Sequence, residues 1–395
     1  MTSPDLRPPS PERSAALTSV IRSEIQASPS ARITFRRFMQ LALYHTELGY
    51  YRSPAERPTR RGDFLTAPET HPMFGWTLSR WLEARWIEFD RPEPFHLIEY
   101  GAGSGTLALT LIEGLRRRPA VGASAGRGLL DALRYRPLET NPHRLDDLTE
   151  RFETAGLARL LDLPAPASSA GGTDGIGVAP VAGALIANEF LDALPVHRVV
   201  SRAGVLGEVY VGWRDGTSGF VELVGEPSTP ELAARLAGEG IELADGQVAE
   251  ICLEIDSWLG EVACRLAPGR AAGLILDYGY EAAELYGPRH LAGTLLGYRG
   301  HRVVDRPLAD PGDVDLTAHV DFTAVRAAAE RHGFRSGTLR SQAEFLLGAG
   351  LESEWQAIRA SALTAADYTT ARAAILRLLD PRHLGGFRVL ELVRA

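Results

Sequence analysis

A short apolar segment that runs into three closely spaced glycines constrains the fold more than any other feature. Residues 95–99 are predicted to form a buried strand, and Gly101, Gly103 and Gly105 follow before a helix predicted over 106–118. Glycine allows a sharp turn and lets the backbone approach a ligand closely. A strand, a glycine turn and a helix in this order predict an α/β protein with a ligand at the turn.

Other predicted strands also end in polar residues. Buried strands over 182–187 and 272–276 end at Asn188-Glu189 and at Asp277, and a weaker strand over 133–138 ends at Glu139. Strands that alternate with helices predict a mostly parallel sheet covered on both faces. Ligands of such sheets bind at the carboxyl ends of the strands, so these residues are candidates for a binding site.

The ligand of the glycine turn stays open on these residues alone. The spacing Gly-x-Gly-x-Gly differs from the dinucleotide pattern, because position 106 is Thr. Glu99, just before the turn, suits a cationic group such as an amino acid's ammonium, and Glu139 could accept the hydroxyl protons of a ribose. The turn could bind S-adenosylmethionine or another nucleotide, or it could be structural and bind no ligand. Glu139 could equally face solvent.

Composition excludes several classes of protein. The 395 residues include no lysine, so all 42 basic residues are arginines, which excludes a Schiff-base or P-loop lysine. A net charge of -8 argues against a nucleic-acid surface, and no apolar run is long enough to predict a membrane span. The two cysteines, Cys252 and Cys264, form no disulfide framework and no zinc site. We therefore expect no metal, no nucleic acid or membrane partner, and a cytoplasmic location.

The predicted helices before the glycine turn cover residues 14–48 and 72–89. The second carries Trp76, Trp81 and Trp86, a spacing that favours a place in the core over ligand stacking. Residues 196–223 alternate in polarity, which predicts hairpin strands, and segments 333–340 and 387–393 are predicted to form a terminal strand pair.

Several blocks of sequence, in order from about residue 33 to 350, are typical of one family. They are Tyr-His-Thr-Glu-Leu-Gly-Tyr-Tyr at 44–51, Gly-Asp-Phe-Leu-Thr-Ala-Pro-Glu at 62–69, Phe-Gly at 74–75, the glycine turn, Ala-Asn-Glu-Phe-Leu-Asp-Ala-Leu-Pro-Val-His-Arg at 187–198, Asp-Tyr-Gly-Tyr at 277–280, Asp-Leu-Thr-Ala-His-Val-Asp-Phe at 315–322 and Gln-Ala-Glu-Phe-Leu-Leu at 342–347. With these blocks the chain resembles the MidA-like methyltransferases, which include a mitochondrial arginine methyltransferase of respiratory complex I assembly.

The resemblance implies an α/β, class I S-adenosylmethionine-dependent methyltransferase with a Rossmann-like seven-stranded sheet. It also implies a helical N-terminal extension and an inserted hairpin and helical region that covers the substrate. We expect a disordered tail at 1–13, the extension at 14–92 and the core at 93–395, with an insertion at about 196–248 and additions at about 285–385. The resemblance also implies S-adenosyl-L-methionine as the cofactor. The residues that match the cofactor site of the family are Asp63, Glu99, Gly101, Ala102, Gly103, Gly105, Glu139 and Asn188.

The candidate catalytic residues are Glu69, Glu189, Asp192 and His197. An arginine guanidinium is a poor nucleophile, because its lone pairs are delocalised and its pKa is above 12, so carboxylates that orient it are its natural partners. Glu189 could instead cap the following helix, and His197 could be a structural histidine.

The predicted reaction is N-methylation of an arginine side chain in a protein or peptide, by a possible homodimer. The chain departs from the family at Thr70-His71-Pro72, Trp76 and Leu296, which lie in substrate-side blocks. Two alternatives therefore stay open. One is a methyltransferase of a small molecule or natural-product peptide, and the other is a partner-binding assembly factor whose methyltransferase activity is secondary.

Overall fold

The structure is a computed structural model that describes residues 10–53, 66–118, 128–163, 179–215, 219–299, 302–361 and 364–395. Asp63 and most of the tail expected at 1–13 lie outside the described residues.

The described residues form fourteen α-helices and seventeen strands. The helices are α1 Pro11–Ala27, α2 Phe35–Tyr44, α3 Ala67–Thr70, α4 Met73–Glu88, α5 Thr106–Arg117, α6 Leu129–Ala132, α7 Pro142–Thr154, α8 Glu231–Gly238, α9 Glu254–Arg265, α10 Ala282–Leu285, α11 Phe322–Arg331, α12 Gln342–Gly348, α13 Leu351–Ala360 and α14 Ala365–Leu379. The strands are β1 Arg32–Thr34, β2 Phe95–Tyr100, β3 Leu133–Leu138, β4 Val181–Asn188, β5 His197–Arg202, β6 Val205–Arg214, β7 Gly219–Gly225, β8 Val248–Ile251, β9 Leu266–Asp277, β10 Gly279–Tyr280, β11 Leu296–Arg299, β12 Arg302–Val303, β13 Asp315–Thr317, β14 Val320–Asp321, β15 Phe334–Ser336, β16 Arg340–Ser341 and β17 Arg388–Arg394. Within this part of the chain, no helix combines the length and the apolar character needed to cross a bilayer.

The chain divides into two compact units, and the first comprises residues 1–65, 191–257 and 279–327. Its main sheet has the order β1-β6-β5-β8, with β7 also paired to β6, and all these pairings are antiparallel. The predicted hairpins over 196–223 are therefore confirmed. Helices α1 and α2 contribute buried apolar side chains, among them Leu17, Ile21, Phe35 and Phe38, to a core shared with Val211 of β6.

The prediction of continuous helix over 14–48 is wrong, because strand β1 separates α1 from α2. Ala31 has a positive φ of 50°, which turns the chain out of helical geometry. Ile33 then pairs with Val211 of β6, so the segment gains a place in the sheet. The Thr34 side chain accepts a hydrogen bond from the Arg37 amide at 3.1 Å and caps the start of α2.

The second unit comprises residues 66–190, 258–278 and 328–395. Its seven-stranded sheet has the order β15-β17-β9-β4-β2-β3, with β16 also paired to β17. Strands β3, β2, β4 and β9 pair in parallel, whereas β17 pairs antiparallel with β9, β15 and β16. Only β17 is therefore reversed in this sheet. The predicted α/β class and the terminal strand pair are confirmed.

Helix α4 belongs to this second unit, although the predicted extension at 14–92 includes it; the predicted domain limits stay a prediction. Trp76, Trp81 and Trp86 are each only 6% exposed and lie in the main core, as their spacing predicts. Gly75 of α4 faces α5 so closely that an added Cβ would overlap the side chain of Thr110. The glycine of the Phe-Gly family block is thus needed for the packing of α4 against α5.

Candidate active site

The glycine turn leaves the carboxyl end of β2 in the second unit. Gly101, Gly103 and Gly105 all have positive φ angles, of 68°, 54° and 76°. A residue with a Cβ pays about 1–2 kcal/mol for such a backbone. At Gly105 an added Cβ would also lie 2.9 Å from Cγ of Leu148, whereas at Gly103 the nearest atom is Arg144 Nη1 at 3.5 Å. Glycine is thus required by local packing at 105, and at 103 by backbone geometry alone.

Glu99 is a buried carboxyl group at the end of β2, only 5% exposed. The Tyr135 hydroxyl, on the neighbouring strand β3, donates a 2.7 Å hydrogen bond to Glu99 Oε2. Burial raises the pKa of Glu99 to about 8, although the hydrogen bond from Tyr135 opposes this shift; the charge of Glu139 adds to it. At neutral pH Glu99 therefore keeps its proton until a cation comes close enough to favour the carboxylate.

The Glu139 side chain is held against the glycine turn by two backbone amides. The amide of Gly103 donates to Glu139 Oε2 at 2.9 Å, and the amide of Asn141 donates to Oε1 at 2.8 Å. Asn141 itself caps α7 by accepting a hydrogen bond from the His143 amide at 3.1 Å. The carboxylate of Glu139 is thereby tied to both the glycine turn and the start of α7.

The end of β4 brings a second set of predicted residues together. Glu189 has a positive φ of 51°, a strained geometry that costs a non-glycine residue about 1–3 kcal/mol and tends to occur at functional sites. Its Oε1 accepts hydrogen bonds from the Asn188 side-chain amide at 3.2 Å and from the Ala67 backbone amide at 3.3 Å. Ala67 begins α3, the short helix that carries Glu69. Asn188, Glu189 and this helix therefore form one cluster.

Two residues outside the predicted cofactor and catalytic sets complete this edge of the sheet. Asp277, at the end of β9, is fully buried, and its Oδ2 accepts the Phe190 amide at 3.2 Å. The Phe190 ring packs against Tyr100 and Trp258, with centroids 5.4 and 5.7 Å apart. The sequence can predict a site role for Asp277, because it is a polar residue at the end of an apolar strand. It cannot do so for Phe190, because an apolar aromatic residue at this position is equally typical of the core.

The first unit holds the other two predicted catalytic residues. Asp192 Oδ2 accepts a 2.7 Å hydrogen bond from the Thr317 hydroxyl. His197 Nδ1 lies 2.8 Å from Oε1 of Glu208, which is fully buried and also accepts the Ser228 amide at 2.5 Å. These contacts are those of a structural histidine, and a catalytic role for Asp192 and His197 stays a prediction. No group of three or more His, Cys, Asp or Glu residues in the described ranges is arranged to hold a metal ion.

Known proteins resemble this chain over most of its length. A solved structure from Burkholderia thailandensis, a COG1565 superfamily member bound to S-adenosyl-homocysteine, matches with a TM-score of 0.80 at 29% identity and covers 99% of this chain and 95% of its own. The mitochondrial protein arginine methyltransferase NDUFAF7 homologue of Drosophila melanogaster is 29% identical over 84% of this chain and 76% of its own length. The mitochondrial NDUFAF7 of Bos taurus is 27% identical over 97% of this chain and 85% of its own length.

These relatives correct one prediction. The sequence predicted a cytoplasmic location, whereas the curated relatives are named as mitochondrial proteins in insect, fish and mammal. The prediction is therefore wrong. A low cysteine content fits any reducing compartment and does not identify one.

The family of the chain follows from a match over more than half of its length. The sequence model of a family described as S-adenosyl-L-methionine-dependent methyltransferase matches residues 77–338, which include the glycine turn, Glu139, Asn188 and Glu189; the short helix α3 lies before the matched range. The chain belongs to this family of S-adenosyl-L-methionine-dependent methyltransferases, and it is an enzyme that uses S-adenosyl-L-methionine as its methyl donor.

Proposed function

We propose that this enzyme transfers the methyl group to a guanidinium nitrogen of an arginine side chain in a protein. The curated relatives are named protein arginine methyltransferases. The observation that carries the proposal is the position of Glu189, a carboxylate held in a strained left-handed backbone at a strand end and joined to the helix of Glu69.

The residues of the glycine turn fit the methyl donor. Buried Glu99 suits the donor's ammonium group, which would stabilise its carboxylate form. Glu139, held by the amides of Gly103 and Asn141, would accept the ribose hydroxyl protons. Because the glycines of the turn have no side chains, the backbone between Glu99 and Glu139 could lie directly against the ligand. When bound, the donor would supply a methyl group on a positively charged sulfur. A nucleophile attacks the methyl carbon in line with the carbon–sulfur bond.

The protein's remaining task is to prepare the acceptor. A guanidinium is planar, always charged at neutral pH and weakly nucleophilic. Carboxylates at Glu189 and Glu69 would bind its N–H groups, fix its plane and draw its positive charge away from the reacting nitrogen. When the enzyme holds acceptor and donor in contact and in the right orientation, the methyl transfer becomes effectively unimolecular. The reaction rate rises because the entropy of bringing the two molecules together is lost on binding and not in the chemical step.

Replacement of Glu189 by Gln tests this assignment, because glutamine keeps the shape and an acceptor oxygen but removes the charge. We expect turnover to fall about 100-fold or more, as when a single electrostatic contact to a transition state is lost. Affinity for S-adenosyl-L-methionine, measured by calorimetry, should change little. Glu150→Gln, on the exposed face of α7, is the matched control. Normal turnover in Glu189→Gln would remove the acceptor role from this residue.

A small-molecule acceptor is the second candidate, and one observation favours it. Thr70, a position where the chain departs from its family, lines an open groove of about 690 Å³ together with residues of α14, including Thr369, Ala373 and Arg377. The volume of this groove lies within the range of sites that hold small ligands. Mass spectrometry distinguishes the two candidates. With a small-molecule acceptor, a labelled methyl group appears in a small molecule and not in protein.

A further inference from the structure

The Phe190 ring is held rigidly at the carboxyl edge of the second unit's sheet. It packs against Tyr100 and Trp258, which also contact each other with ring centroids 5.5 Å apart. The Tyr100 hydroxyl donates to Glu261 at 2.8 Å, which fixes this supporting ring in turn. The Phe190 amide is bonded to buried Asp277. Both the backbone and the side chain of Phe190 therefore have little freedom.

Phe190 is also the outward member of this aromatic trio. Tyr100 and Trp258 are each 6% exposed, whereas Phe190 is partly exposed. Its Cδ2 lies 3.3 Å from the point that a Cβ on Gly101 would occupy. Gly101 stands between Glu99 and Gly103 in the turn. A partly open aromatic ring therefore borders the middle of the turn.

The charge of the methyl donor falls at this same place, if the donor lies along the turn as the proposed function has it. The positive sulfur of S-adenosyl-L-methionine stands between its amino-acid end and its ribose. With the ammonium at Glu99 and the ribose at Glu139, that sulfur would come between these two residues, where the Phe190 ring borders Gly101. The face of an aromatic ring attracts a cation within about 6 Å of its centre, most strongly where water is excluded.

We propose that Phe190 makes the site selective for the charged methyl donor over its neutral product. In the transfer, the acceptor nitrogen forms a bond to the methyl carbon, the carbon–sulfur bond breaks with its electron pair left on sulfur, and the proton displaced from the nitrogen passes to solvent water. The sulfur is then a neutral thioether, and the attraction to the ring is lost. Phe190 thus favours binding before the reaction and release after it.

Calorimetry with Phe190→Leu tests this role on the enzyme without any acceptor. The ligands are S-adenosyl-L-methionine, S-adenosyl-homocysteine and sinefungin, which carries an ammonium group in place of the methylated sulfur. Leucine keeps an apolar side chain but has no π face, so we expect affinity for the two cationic ligands to fall about 3- to 30-fold. Affinity for S-adenosyl-homocysteine should change by less than about twofold. Phe190→Tyr, which keeps the ring, should bind all three ligands as the wild type does.

Two results would overturn the inference. An equal loss of affinity for all three ligands would show that the ring only supports the turn, and unchanged affinity for all three would show that it does not face the charge. Thermal unfolding of each variant shows whether the trio still packs. The placement of the donor fails separately, if Glu99→Gln and Gly103→Ala bind S-adenosyl-L-methionine as tightly as the wild type does. The proposed arginine acceptor fails on a different readout, if the enzyme labels no protein arginine.

Discussion

Alanine at Gly103 and alanine at Gly105 should have different consequences, although both residues have the same left-handed backbone. The positive φ angles of 54° and 76° make a Cβ cost about 1–2 kcal/mol at either position. At Gly105 the Cβ also meets Leu148 Cγ at 2.9 Å and Phe152 Cε2 at 3.3 Å. Both neighbours are fully buried, so overpacking adds about 1–3 kcal/mol. We expect unfolding free energies to fall by about 1–2 kcal/mol for Gly103→Ala and about 2–5 kcal/mol for Gly105→Ala.

Ligand binding should distinguish the two variants in the opposite sense. The nearest protein atom to a Cβ at Gly103 is Arg144 Nη1 at 3.5 Å, so the methyl group clashes with no protein atom and only the backbone strain remains. The same methyl group intrudes where the backbone should lie against the methyl donor. We expect Gly103→Ala to bind S-adenosyl-L-methionine at least about tenfold more weakly, a loss of about 1.4 kcal/mol.

Urea unfolding and calorimetry on the same preparations measure both effects. Wild-type affinity in Gly103→Ala would refute the assignment of this turn to the methyl donor. Equal stability of the two alanine variants would refute the argument that Leu148 and Phe152 require glycine at 105.

The titrating and buried groups give the remaining expected outcomes. Because the pKa of Glu99 is about 8, binding of S-adenosyl-L-methionine at pH 7 should release close to one proton, measured by calorimetry in buffers of different ionisation enthalpy, and Glu99→Gln should abolish this release. Between pH 4.5 and about 8 the folded protein keeps the proton of Glu99, whereas the unfolded chain, with its ordinary pKa of 4.5, has lost it. The free energy of unfolding measured in urea should therefore decline as the pH rises from about 4.5 to about 8 in the wild type. This decline should be absent from Glu99→Gln. Tyr135→Phe removes the hydrogen bond that lowers the pKa of Glu99, so the pH at which affinity rises should move upward. Glu208→Gln weakens a fully buried acceptor of His197 and should cost about 1–3 kcal/mol of stability; loss of activity without loss of stability would instead support a catalytic His197.

The sheet that carries the site is largely predictable, because its strands are short apolar runs with polar ends. Residues Phe95 to Glu99, followed by glycines, can hardly form anything other than a buried strand and a tight turn. The same strand-end rule predicts that Glu139, Asn188 and Glu189 lie at one edge of a sheet. Their contacts through Gly103 and Ala67 confirm that these residues lie in two well-defined clusters.

What escapes prediction depends on register and on distant pairing. Tyr135 reaches Glu99 only because Leu97 and Tyr135 are opposite each other in the β2–β3 pair, and register is not written in either strand alone. Strand β1 is mistaken for helix because its partner, β6, lies almost 180 residues away. The role of Phe190 is invisible in the sequence for another reason: an aromatic residue beside a strand end looks the same whether it faces a core or a ligand.

The most direct test of the account is to follow the methyl group itself. The enzyme is incubated with S-adenosyl-L-methionine that carries a deuterated methyl group and with a protein extract, and the products are digested and analysed by mass spectrometry. The account predicts labelled methyl groups on arginine nitrogens of protein with the wild-type enzyme, and almost none with Glu189→Gln. Label on a small molecule alone, or equal arginine labelling by the wild type and Glu189→Gln, would contradict it.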